Sequence, residues 1–154
     1  MPVSTIHPFV VHFAIALSCL AGAMEILPGV FSRIPEKGRS LVWNGALLSL
    51  LLAVLTGWGT LRTLEGRIPH LPDLVRFHRL AGISALGLVL ILRVVRSESD
   101  RLPSGEKGRQ DGLKRALALA TILLVLGTAT MGGHLVYHDH LGTAFWPPSG
   151  ATPP

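Results

Sequence analysis

Four apolar stretches of hydrocarbon length, centred on Ala16, Leu51, Leu86 and Leu123, leave this chain few ways to fold. A helix that crosses a bilayer needs about 20 mostly apolar residues, because in hydrocarbon each backbone N–H and C=O must find its partner within the segment. The pattern predicts spans over 8–27, 41–61, 75–95 and 113–137, which consume most of the 154 residues. Composition agrees. Hydrophobic residues make up 49%, charged residues only 15%, and the mean hydropathy is +0.49, which is too apolar for an ordinary water-soluble domain of this length. The expected fold class is all-α, an integral membrane four-helix bundle, forming one domain over 1–154 with a short Pro-rich tail at 143–154.

Local signals set the expected ends of the spans. His7-Pro8 is expected to open the first helix, since Pro suits the first helical position and pushes the residue before it out of helical geometry. Pro28-Gly29 closes it. Trp43 and Trp58 near the two ends of the second span read as interfacial tryptophans. Asp73 reads as the N-cap of the third helix. Arg76, Arg79 and Arg93 shorten that helix's uncharged core, and snorkelling makes up the length. Met1 to Ile6 carries no Lys or Arg, so the first span reads as retained and not as a cleaved signal peptide.

Several function classes drop out. The one cysteine, Cys19, has no partner for a disulfide, and the sequence lacks the Cys-x-x-Cys-His run of covalently attached haem. The net charge of +5 is carried by residues flanking the spans, so nucleic acid is not an expected partner; the lipid bilayer is.

Alternating spans make the seven histidines informative. With four spans, His7, His12, His70, His78, His134, His138 and His140 all fall toward one side of the membrane. The basic residues divide the other way: Arg33, Lys37, Arg39, Arg93, Arg96, Arg101, Lys107, Arg109, Lys114 and Arg115 against Arg62, Arg67, Arg76 and Arg79. The positive-inside rule then places the histidines and both termini on the periplasmic side of a bacterial inner membrane. His12 lies five residues after the expected cap His7, and His78 five after Asp73, so each sits ~7 Å into the bundle, with His134 about one turn from its helix end. His138 lies one turn further out, at the rim.

Ionisable residues inside a membrane span cost insertion free energy and point to function. Imidazoles from different helices in one apolar layer suit non-covalent haem b, one or two per chain, held by two axial histidines. His12 and His78 are the leading pair, with His134 or His138 as replacement or second-site ligands. Gly82 and Gly133 lie near these ligands, with Gly57, Gly59 and Gly132 in the same layer, where a porphyrin needs the backbone to recede. Arg76 and Arg79 are placed to meet haem propionates. Each feature also has a plainer reading. Glycines let membrane helices approach one another, arginines anchor the interface, and His7, His70 and His140 read as solvated or capping residues beside loops.

The motifs His7-Pro8-Phe9-Val10-Val11-His12-Phe13-Ala14-Ile15 and Gly133-His134-Leu135-Val136-Tyr137-His138, with His78 opening the third span, resemble a bacterial family of four-helix membrane proteins catalogued as a domain of unknown function. That family opens with His-Pro-x-x-x-His-Phe-Pro-Ile and closes with Gly-Gly-x-Leu-Val-Tyr-x-His-Gly. Ala14 stands where the family has Pro, and Asp139 where it has Gly, which sets a carboxylate beside His138. The resemblance implies a bacterial inner-membrane protein that binds haem, and supplies no reaction.

The leading functional expectation is a small b-type cytochrome, or haem-bearing subunit, that relays electrons near the periplasmic face, with a quinol or a periplasmic cytochrome as partner. It is an electron-transfer protein more than a stand-alone enzyme, with no catalytic residue assigned. One alternative is a Zn or Cu site built on His12, His78, His134 and His138. The other is an accessory structural subunit of a larger membrane complex or a homo-oligomer.

Overall fold

The computed structural model describes residues 3–66, 71–99 and 107–137. They form four helices: α1 (Val3–Ile26), α2 (Glu36–Glu65), α3 (Asp73–Ser99) and α4 (Lys107–Tyr137). Each is long and apolar enough to cross a membrane. Large apolar side chains such as Phe9, Leu41, Leu55, Val94 and Leu123 lie exposed on the outside. In water so many would be a liability; acyl chains cover them without cost.

Helices pack in the order α1–α2–α3–α4, and α4 closes back on α1. The diagonal pairs α1–α3 and α2–α4 do not pack backbone to backbone, so a central axis runs between them. The α1–α2 seam is the most extensive and the α2–α3 seam the thinnest. Much of the core is small: Ala14, Ala21, Ala46, Ala85 and Ala118, with Trp43, Leu50, Val89, Leu92 and Val125 filling the rest. Small residues suit helices in lipid, where close backbone contact replaces the hydrophobic drive between helices. Gly22 shows the consequence, since a Cβ there would lie 2.8 Å from the Ile122 side chain and 3.3 Å from the Ala118 carbonyl oxygen.

Helix ends follow sequence chemistry, with two corrections. Acidic Glu36 and Asp73 sit in the first turns of α2 and α3, and Arg62 and Arg96 in the last turns, each matching the helix dipole. Asp73 is the first residue of α3 and not the residue before it. Pro8 does not open α1, because the helix already runs from Val3 and encloses it. His7 is therefore a helical residue at the start of the span Ile6–Ile26, not a capping residue beside a loop.

The end of the bundle remote from the histidines is tied by ions. Arg96 pairs with Glu25 and reaches Glu36 at 2.6 Å, Arg39 donates to the Met24 carbonyl at 2.8 Å, and the Trp43 indole donates to Glu25 at 3.3 Å. Trp43 is fully buried between helices, whereas Trp58 is half exposed. This cluster joins the end of α1, the start of α2 and the end of α3.

Candidate functional site: paired imidazoles across the bundle

At the other end, the side chains of two diagonal helices meet. His7 on α1 and His78 on α3 have ring centroids 6.5 Å apart, with their planes at 86°. Both are partly buried. Each ring is held by the next helix in the chain. His7 Nδ1 lies 3.0 Å from Thr56 Oγ1 on α2, and His78 Nδ1 lies 3.0 Å from the Thr128 carbonyl oxygen on α4.

These bonds fix the tautomers. A carbonyl only accepts, so His78 Nδ1 carries the proton and donates it. The Thr56 hydroxyl gives its own proton to the Leu52 carbonyl at 2.8 Å, with the Ala53 carbonyl at 3.2 Å. It is thus left to accept, and His7 Nδ1 donates to it. With Nδ1–H donated in each ring, Nε2 is left as the unprotonated nitrogen, and His7 is also within hydrogen-bonding reach of the Ala53 backbone.

A glycine backs each ring. A Cβ on Gly57 would lie 3.0 Å from His7 Cε1, and one on Gly132 would lie 3.0 Å from His78 Cε1. The arrangement is nearly repeated in the two halves: His7, Thr56 and Gly57 between α1 and α2, then His78, Thr128 and Gly132 between α3 and α4. An added Cβ at either glycine would require the facing imidazole to give by a few tenths of an ångström.

The fold separates residues that the depth count had placed together. His12 is exposed on the outer face of α1, with Nδ1 2.6 Å from the Pro8 carbonyl. The expected layer of His12 with His78 is therefore not formed; His7 takes that place. Counting depth from His7 as a cap put the zero of the scale inside the helix, and five residues turn His12 about 140° away from His7. His134 lies exposed near the end of α4, outside the paired rings. His70, His138 and His140 lie outside the described residues, as do Asp139 and the tail with Trp146.

The expected glycines and arginines sort similarly. Gly82 faces Thr128 Cγ2 at 3.9 Å, whereas Gly133 meets open space. Arg76 and Arg79 are exposed and line a cleft of about 240 Å³ with Leu61, Glu65, Asp73 and Val75, between the end of α2 and the start of α3. Thr56 and Thr128 were not anticipated from sequence. The Thr56-Gly57 pair, a hydroxyl next to a missing side chain in an apolar helix, was the signal available.

A four-span bundle with two tautomer-fixed imidazoles facing one another across its axis defines a class: a multi-pass membrane protein with a polar site enclosed near one end. The chain belongs to the family described as "Predicted membrane protein (DUF2231)", whose family model matches residues 3–144. No curated protein and no solved structure matches it.

Proposed function

We propose that this protein is a small b-type cytochrome, or the haem-bearing subunit of a larger membrane assembly, with His7 and His78 as the two axial ligands. The observation that carries the reading is the approach of two imidazoles on diagonal helices, each with Nδ1–H committed to an oxygen and Nε2 left unprotonated. Metal-bound imidazoles characteristically donate the remote N–H to a carbonyl or hydroxyl, which fixes the tautomer and raises ligand basicity.

Dimensions support the same reading. The two ring centroids lie 6.5 Å apart, so both residues could hold one group between them. Ligand number favours haem over Zn or Cu. A bare Zn ion takes three or four protein ligands, whereas haem iron takes two axial ones because the porphyrin supplies the rest. Among the described residues, no group of three histidine, cysteine or acidic side chains gathers at one point.

When bound, haem would supply one-electron redox chemistry. The residues supply the rest. His7 and His78 ligate, Thr56 and the Thr128 carbonyl orient them, and Gly57 and Gly132 give their rings room. Arg76 and Arg79 offer guanidinium forks to propionates at the cleft between α2 and α3. The excess of basic residues toward the opposite end supports a periplasmic position for this site in a bacterial inner membrane.

The test is a dithionite-reduced minus air-oxidised spectrum of the detergent-purified chain, with haem counted as pyridine haemochrome. Low-spin b-type bands are expected, lost in both His7→Ala and His78→Ala and retained in His12→Ala. A colourless protein from haem-supplied cells overturns the reading, as does colour that survives loss of both His7 and His78.

A further inference from the structure

His12 poses a separate chemical problem. It lies six residues into the span Ile6–Ile26, ~9 Å along the helix from the start of that span, and its side chain faces outward. There it meets acyl chains. A histidine stem is too short to carry the ring back to the interface, as a Lys or Arg stem would. Its Nδ1 donates to the Pro8 carbonyl at 2.6 Å, so Nε2 stands as a bare acceptor in a layer where lipid offers no donor. Leaving such an acceptor unpaired is costly.

Two exposed phenyl groups lie to one side of it on the same helix. Phe9 and Phe13 are 67% and 52% exposed, and their centroids lie 5.1 Å apart at an interplanar angle of 64°. The outer face of α1 thus presents one hydrogen-bond acceptor beside an aromatic surface, all within the hydrocarbon layer. What satisfies it must dissolve in the bilayer, carry a hydroxyl donor and have an aromatic body.

We propose that His12, Phe9 and Phe13 form a binding site for the headgroup of a membrane quinol. A phenolic hydroxyl donates to His12 Nε2 while the ring of the headgroup lies against the phenyl groups. The fixed tautomer makes the site selective for redox state. A quinol brings hydroxyl donors, whereas a quinone brings only carbonyl acceptors, which set lone pair against lone pair at Nε2. A second copy docked symmetrically through this same face meets the same objection, because it would present another bare acceptor. Binding here is independent of haem; a role for the quinol as electron donor to His7 and His78 would rest on the cytochrome reading.

The experiment uses the full chain in lipid nanodiscs, labelled with 15N-histidine and kept anaerobic, with duroquinol and duroquinone as probes. The Nε2 resonance that disappears in His12→Gln is assigned to His12. Duroquinol should shift it saturably, with duroquinone at least tenfold weaker, and Phe9→Ala with Phe13→Ala should weaken duroquinol several-fold. The response should persist in the His7→Ala, His78→Ala chain, so failure of the haem reading leaves it untouched. No shift with duroquinol overturns the proposal, as does an equal response to duroquinone. A resonance that follows the protein-to-lipid ratio instead of duroquinol also overturns it, and assigns the face to a second copy.

Discussion

The two ends of the bundle solve the problem of polarity in a membrane in opposite ways. At one end, Glu25, Glu36, Arg39 and Arg96 meet opposite charges or carbonyls supplied by neighbouring helices. At the other, His7 and His78 each spend one nitrogen on the protein and hold the second bare. The first pattern closes on itself and ties helices together. The second is half-finished within the chain, and groups left half-satisfied at that cost mark a site. The contrast sets polarity that the protein satisfies itself against polarity that the proposed ligand role would complete.

Breaking the ionic end should give the largest effect. The Arg96 and Glu25 side chains are only 12% and 7% exposed. Removing one partner strands the other charge, and Arg96→Met should cost about 3–5 kcal/mol of stability, read as a lowered unfolding midpoint in detergent. The double variant Arg96→Met, Glu25→Leu should recover much of that loss, because an apolar pair can replace a buried ion pair. Failure to recover would give Glu25 a task beyond pairing.

The histidine end should answer to ring room. Gly132→Ala places a Cβ 3.0 Å from His78 Cε1, while Gly87→Ala meets nothing within 4 Å on the same half of the bundle. Crowding the first should cost about 1–3 kcal/mol. The second should be neutral or gain about 0.5–1 kcal/mol from reduced chain entropy. Thermal unfolding of the two variants side by side checks this, and equal behaviour would show that His78 is not held where its Thr128 bond puts it.

Much of the bundle was legible because its cause is one-dimensional. Hydrocarbon thickness fixes span length, and runs such as Leu47 to Leu55 or Leu117 to Leu126 announce it directly. Helix number and class followed from that. The site was legible only by type. That histidines gather toward one end follows from parity of the spans, but which ones face inward depends on helix phase. Placing the start of α1 at Pro8 rather than Val3 put His7 outside the helix and His12 in its place. The ionic cluster was missed for a related reason. Arg96 and Glu25 lie far apart in sequence, and charge counts at span ends do not reveal which side chains turn inward. Thr56 was hidden by its ordinariness, since threonine in a helix commonly bonds back to its own turn, as Thr56 also does.

That dual role of Thr56 predicts a difference between the two imidazoles. His7 rests on the Thr56 hydroxyl as well as on the Ala53 backbone, whereas His78 rests on a backbone carbonyl alone. Thr56→Val removes the acceptor and should cost about 1 kcal/mol of stability. A bound metal or haem should then be held about 10–100-fold more weakly. Thr128→Val keeps the carbonyl and should leave both quantities near those of the parent. Titrating haem into the purified apo-chains and comparing apparent dissociation constants separates the variants. Equal loss in both would mean that the threonines act through packing and not through the Nδ1 bond.

The smallest expected effect lies between the two ends and has the opposite sign. Ser18 is fully buried in the middle of α1, and its hydroxyl has no hydrogen-bond partner. It stands eleven residues from His7 and seven from Glu25, so all three lie within about 20° of one face of the helix, at 100° per residue. That inward stripe is polar at three levels, tied by ions at one, half-tied at another and untied at the middle one. If Ser18 serves only as a small residue in the packed seam, Ser18→Ala removes an unsatisfied buried hydroxyl. Stability should then rise by up to about 1 kcal/mol, with any haem spectrum unchanged. If the variant is instead destabilised, the hydroxyl has a partner in the membrane-embedded protein, and the contrast between a closed end and an open end must be extended along the whole axis of the bundle.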